Sequence, residues 1–231
     1  MIGILVELVI SWLLLWLVAK SSLTVLGFAP RKSRLMDLAT GLLLAGLVCA
    51  LYHLSTTYFA GNGWALNPGY SAATFFKSSL WVLKSVLFET LIFQGALLHL
   101  AIRKVGSTRA CVLSAACFGV YHWFSYGAFG NPVSMALIFF MTGITGLMYA
   151  FAFAKTGALY LTIALHFGWN LCSTVFFSNG PLGKQLLLPE NHHKLQGVLS
   201  LVVFLFQIFA LPAITYWYLK KRGTAPLQTT P

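Results

Sequence analysis

The chain has 231 residues, of which 58% are hydrophobic and only 8% charged, and its mean hydropathy is +0.81. So little charge excludes a soluble globular surface and implies a membrane protein with several spans. The formal net charge of +11 does not point to nucleic acid. Its cations form short clusters between apolar runs, the pattern of cytoplasmic loops facing anionic headgroups.

The first apolar run covers residues 2–19. It carries Glu7 and lacks both a basic leader and a small-x-small cleavage pattern, so it reads as an uncleaved span and not as a signal peptide. Further runs follow at 36–57, 80–102, 110–126, 133–153, 157–177 and 197–218. The fourth is the shortest; the others comfortably cross roughly 30 Å of hydrocarbon. Their apolarity is continuous, whereas barrel strands alternate polar and apolar residues. The expected fold class is therefore all-α, a polytopic transmembrane helix bundle of about seven spans. The four cysteines (Cys49, Cys111, Cys117, Cys172) fall in apolar runs without a CxxC pair and read as small buried hydrophobes.

Lysine and arginine set the expected orientation. Lys20, Arg31, Lys32, Arg34, Arg103, Lys104, Arg109, Lys155, Lys220, Lys221 and Arg222 fall on one side of a seven-span chain; only Lys77, Lys184 and Lys194 fall in loops on the other. The positive-inside rule then places the N-terminus outside and the C-terminus in the cytoplasm. The aromatic and Gly-rich loops at 58–76 and 124–132 lie outside. Compact size and the lack of eukaryotic sorting signals suggest the inner membrane of a bacterial cell.

The chain owns four acidic side chains, and one of them, Glu89, stands in "SVLFETLIFQGALLHL" with no Lys or Arg within a helical turn. A carboxylate near a span centre costs on the order of 2.5–3.5 kcal/mol to insert, so it is expected to face the bundle interior and polar partners. The candidates are His122 in "CFGVYHWF" and the pair His166 and Asn170 in "LTIALHFGWNL". Residues 166 and 170 are i, i+4 and share a helix face. In the expected topology all four lie at compatible depth. His53 and His99 read instead as hydrogen-bonded structural residues, and His192 with His193 as solvated loop residues.

These residues resemble the motifs of the CAAX-protease and bacteriocin-processing (CPBP) intramembrane endopeptidases. That family has a Glu-Glu-x-x-x-Arg helix, a Phe-x-x-x-His helix and a His-x-x-x-(Asn/Asp/Ser) helix. They stand here as "ETLIFQG", "FGVYH" (Phe118 to His122) and "HFGWN" (His166 to Asn170). The resemblance covers about residues 80–177 and implies a catalytic helical core there. It is preceded by N-terminal helices and an outer loop (1–79) and followed by an outer loop, a last span and a basic tail (178–231). The first motif departs in two places: the second Glu is Thr90 and the Arg is Gln94. Both members of what the family pattern would make a charged i, i+4 pair are thus neutral, and they are expected to keep a supporting, hydrogen-bonding role.

The resemblance implies a glutamic-type protease acting on a membrane-associated or lipid-anchored protein or peptide, with Glu89 as general base and His122 orienting the water. His166 and Asn170 stabilise the oxyanion. The expected partners are membrane lipids and that substrate, and no nucleic acid. No cofactor is expected; the alternative is zinc on Glu89, His122 and His166, without a compact HExxH signal. A site opening outward suits a secreted or membrane-tethered peptide better than prenyl-protein processing in the cytosol. The departures at Thr90 and Gln94 support an alternative, a catalytically degenerate relative acting as a membrane immunity or scaffold protein. A small proton-coupled transporter is a minor alternative, disfavoured by the lack of an inverted repeat.

Overall fold

The computed structural model describes residues 2–178 and 180–222. Residues 223–231, the end of the expected third segment, lie outside the described residues. The helices are α1 (Ile2–Ala19), α2 (Lys32–Phe59), α3 (Ala72–Gln94), α4 (Ala96–Val105), α5 (Ser107–Ser125), α6 (Pro132–Thr156), α7 (Leu159–Leu171) and α8 (Gly197–Arg222). A π-helical turn, Cys172–Phe177, prolongs α7. The fold is an all-α polytopic bundle.

Local chemistry sets several helix limits. Ser71 caps α3 by accepting from the Thr74 amide at 3.1 Å, and Asn131 does the same for α6 through the Ser134 amide at 3.1 Å, with Pro132 at the first helical position. Gly157 ends α6 in the left-handed region at φ 62°. The expected third run is longer than 80–102 and is divided at Gly95. A Cβ there would collide with the Leu91 carbonyl oxygen, so only glycine lets the chain pass from α3 into α4.

Among the described residues, six stretches are long and apolar enough to cross a membrane: α1, α2, α3 with α4, α6, α7 with its π turn, and α8. The expected fourth span is a helix, α5, but does not qualify. Its length of 19 residues is sufficient; what it lacks is apolarity, since Ser107, Thr108, Arg109 and Ser114 dilute it. It compensates by packing on α6, α4 and α3. The connection at 58–76 also holds structure that apolar runs do not reveal: β1 (Trp64–Leu66) pairs antiparallel with β2 (Leu187–Pro189), Ala65 facing Leu188.

Two large apolar clusters hold the bundle, beside a small one of Val82, Val86 and Val175. One gathers Leu15, Leu26, Leu91, Leu98, Phe153 and Leu159 from the α1, α3, α4, α6 and α7 side. The other, with Val48, Phe118, Tyr149, Leu161, Leu165 and Leu211, joins α2, α5, α6, α7 and α8. Helix α7 lies flush on α2: a Cβ at Gly168 would stand 2.9 Å from the Leu42 carbonyl oxygen and 3.0 Å from the Ala45 methyl. This glycine lies between His166 and Asn170, so the motif that carries the polar groups also carries the close approach that seats them.

At the other end of the bundle Asp37 on α2, buried at 1% exposure, takes two bonds from Arg222 at 2.6 and 2.7 Å and a third from the Tyr218 hydroxyl at 2.8 Å. Arg222 is thus more than a member of the basic tail; it ties α8 to α2. The cysteines are all free, but only Cys49 and Cys111 are buried, whereas Cys117 is exposed.

Candidate active site

Glu89 sits on the α3 face that turns inward with Ser85, one turn earlier. The Ser85 hydroxyl donates to Glu89 Oε1 at 3.2 Å. The other oxygen, Oε2, faces two imidazoles: His166 Nε2 from α7 at 3.6 Å and His122 Nε2 from α5 at 3.9 Å. Both separations exceed a direct hydrogen bond of about 2.7–3.2 Å and are short enough for a shared water. All three side chains line one cavity of about 790 Å³, and Asn170 lines it too. Glu89 and His122 keep slight exposure, 14% and 12% for their side chains, while His166 is nearly sealed at 4%.

The two histidines are held differently. His122 Nδ1 lies 2.8 Å from the Phe118 carbonyl oxygen, four residues back. A carbonyl only accepts, so Nδ1 carries the proton, and in the neutral ring Nε2 turns a lone pair toward Glu89. The Phe-x-x-x-His spacing therefore sets a tautomer, and the Phe118 ring also packs on the imidazole with centroids 4.4 Å apart. His166 stacks on Tyr149 of α6, 4.7 Å between centroids at 24°. Its Nδ1 lies 3.4 Å from the Thr90 hydroxyl.

Thr90 and Gln94 thus do not behave as a pair. Thr90 reaches across to His166, whereas Gln94, fully buried, has no hydrogen-bond partner for either amide atom. This corrects the expectation that both keep a hydrogen-bonding role. His53 has the expected structural bond, to Ser173 at 3.4 Å. His99 does not: it is buried with both ring nitrogens unpartnered. Ser85 and Tyr149 are site residues that sequence reasoning passed over. Ser85 was accessible from its i, i+4 spacing to Glu89; Tyr149 has no local signal, because its partner lies on another helix.

The residues do not form a zinc cluster as they stand. Zinc bonds of about 2.0–2.1 Å place tetrahedral ligands about 3.3 Å apart, and the 3.9 Å between Glu89 and His122 is wider. No group of three His, Cys, Asp or Glu among the described residues is arranged to hold a metal ion.

No curated protein and no solved structure matches the chain. A family model described as Type II CAAX prenyl endopeptidase Rce1-like matches residues 71–172. That stretch contains Glu89, His122, His166 and Asn170, and over it the chain is similar to this family.

Proposed function

We propose that this chain is an intramembrane endopeptidase that hydrolyses a peptide bond in a membrane-associated or lipid-anchored protein or peptide. The observation that carries the reading is Glu89 Oε2 standing 3.6 and 3.9 Å from the Nε2 atoms of His166 and His122 in a cavity of about 790 Å³. Glu89 accepts a proton from water as the water oxygen bonds to the scissile carbonyl carbon. His122, with its proton held on Nδ1 by Phe118, accepts the second water hydrogen at Nε2 and so aims the attack. A Thr90 hydroxyl that donates to Nδ1 of His166 leaves that ring's proton on Nε2. This N–H and the Asn170 amide stabilise the oxyanion, one such donor being worth about 2.7–4 kcal/mol. Glu89 then passes its proton to the nitrogen as the C–N bond breaks, leaving a carboxylic acid and an amine.

In this reading α5, sheltered by α6, α4 and α3, makes the seventh crossing despite its lower apolarity. The N-terminus is then outside and the C-terminus cytoplasmic, following the distribution of Lys and Arg, and the chamber serves a substrate that reaches the outer half of the membrane. One observation favours a second reading. Gln94, at the family's Arg position, is buried without partners, as in a relative that has lost its chemistry and serves as an immunity or scaffold protein. The deciding experiment compares the membrane peptidome of cells carrying the wild-type protein with that of cells carrying Glu89→Gln. The enzyme predicts products that vanish in the variant while the folded protein persists. Identical peptidomes, with the biological phenotype intact, support the scaffold.

A further inference from the structure

Helix α8 lies outside the family-matched segment, yet Gln207, Ile208, Leu211 and Pro212 all line the cavity that holds Glu89. Pro212 stands inside the helix and has no N–H to give, so the Ile208 carbonyl, four residues earlier, loses its helical donor. Residues 208 and 212 share a helix face. Since both border the cavity, the break in the backbone ladder opens on the cavity side and not toward lipid. Ile208 is itself buried, at 5% exposure. An orphaned carbonyl at membrane depth is costly unless buried in protein or facing a wet chamber, and this one borders the chamber.

Gln207 is the neighbouring residue, and its side chain brings an amide donor and an amide acceptor to the same wall. The lower part of α8 is anchored, through Asp37, Tyr218 and Arg222 and through Leu211 and Leu219 in the core. Beyond Pro212 toward its start the helix is mostly lipid-facing, with Val198, Leu201 and Val202 exposed. The opened carbonyl therefore sits at the junction between the anchored end of α8 and its freer half-helix.

We propose that the Ile208 carbonyl exposed by Pro212, together with the Gln207 side-chain amide, forms a backbone-recognition site that binds an extended peptide segment in the chamber. The carbonyl accepts from a substrate N–H and Gln207 donates to a substrate C=O. This assignment rests on the endopeptidase reading and deepens it. A peptide entering from lipid carries unpaired amides, each of which demands a partner. Bonds to the main chain hold the substrate extended while leaving its side chains unread, so the site tolerates varied sequences next to the cleaved bond.

The test uses the full chain in lipid nanodiscs with a fluorescent peptide tethered to the membrane by an N-palmitoyl chain, and a matched series in which one non-scissile amide at a time is replaced by an ester. Kd is read by anisotropy in the Glu89→Gln background, and cleavage separately in the wild-type chain. Pro212→Ala restores an N–H for Ile208 and improves helix propensity, so folding is not at risk. It is expected to weaken binding roughly three- to ten-fold, the scale of one hydrogen bond. One ester position should cost the same when Pro212 is present. In the Pro212→Ala variant, where the carbonyl is no longer open, that ester should cost nothing further, the non-additivity of a shared contact. Equal ester penalties in both backgrounds, or no sensitive ester, overturn the proposal, and so does a peptide that does not bind. Cleavage by the wild type with additive penalties refutes the α8 site alone. Binding with the expected cycle but no cleavage refutes the hydrolase reading alone.

Discussion

The Thr90 hydroxyl lies 3.4 Å from Nδ1 of His166, a residue 76 positions further along the chain. Thr90 stands where the motif that the chain resembles has its second Glu, and its neutral hydroxyl here links α3 to α7. A hydroxyl donating to Nδ1 leaves the His166 proton on the nitrogen that faces Glu89.

Thr90→Val keeps the shape and removes the hydroxyl. Peptide cleavage is expected to fall roughly three- to ten-fold in kcat, as for one lost hydrogen bond, with Thr90→Ser retaining most of it. Steady-state kinetics on both variants check this, and equal losses in the two would assign Thr90 to packing.

Cleavage should persist undiminished in a tight chelator. The 3.9 Å between Glu89 and His122 suits a bridging water better than a shared zinc ion. Inhibition that added zinc reverses would replace the water-only mechanism.

Arg222→Met leaves Asp37, at 1% exposure, without its charged partner. A loss of about 3 kcal/mol is expected, because removing one member strands a buried charge. Asp37→Leu combined with Arg222→Met should recover much of it. Thermal unfolding in detergent reads both, and a double variant no better than the single would place the Tyr218 bond first.

Topology is testable directly. Reporter fusions in 58–76 should report outside and those in 103–109 cytoplasm. The reverse pattern would turn the chamber toward the cytosolic half of the membrane and bring prenylated proteins back as substrates.

Much of the protein was legible in its residues because the relevant signals are local. Continuous apolar runs specify helices in lipid, where every backbone group must be satisfied within its own segment. The His166–Asn170 spacing specifies a shared face within a single turn, whereas the His122 tautomer rests on the 2.8 Å contact with the Phe118 carbonyl that the structure supplies. Only the tertiary structure decided which polar groups find partners. Thr90 meets His166, the side chains of Gln94 and His99 find no hydrogen-bond partner among the described residues, and Arg222 crosses 185 positions to Asp37. It also decided that α8, beyond the family segment, walls the chamber. The physical reason is range: hydrogen bonds and packing act over a few ångströms in space, and helix periodicity places neighbours within one helix but not between two.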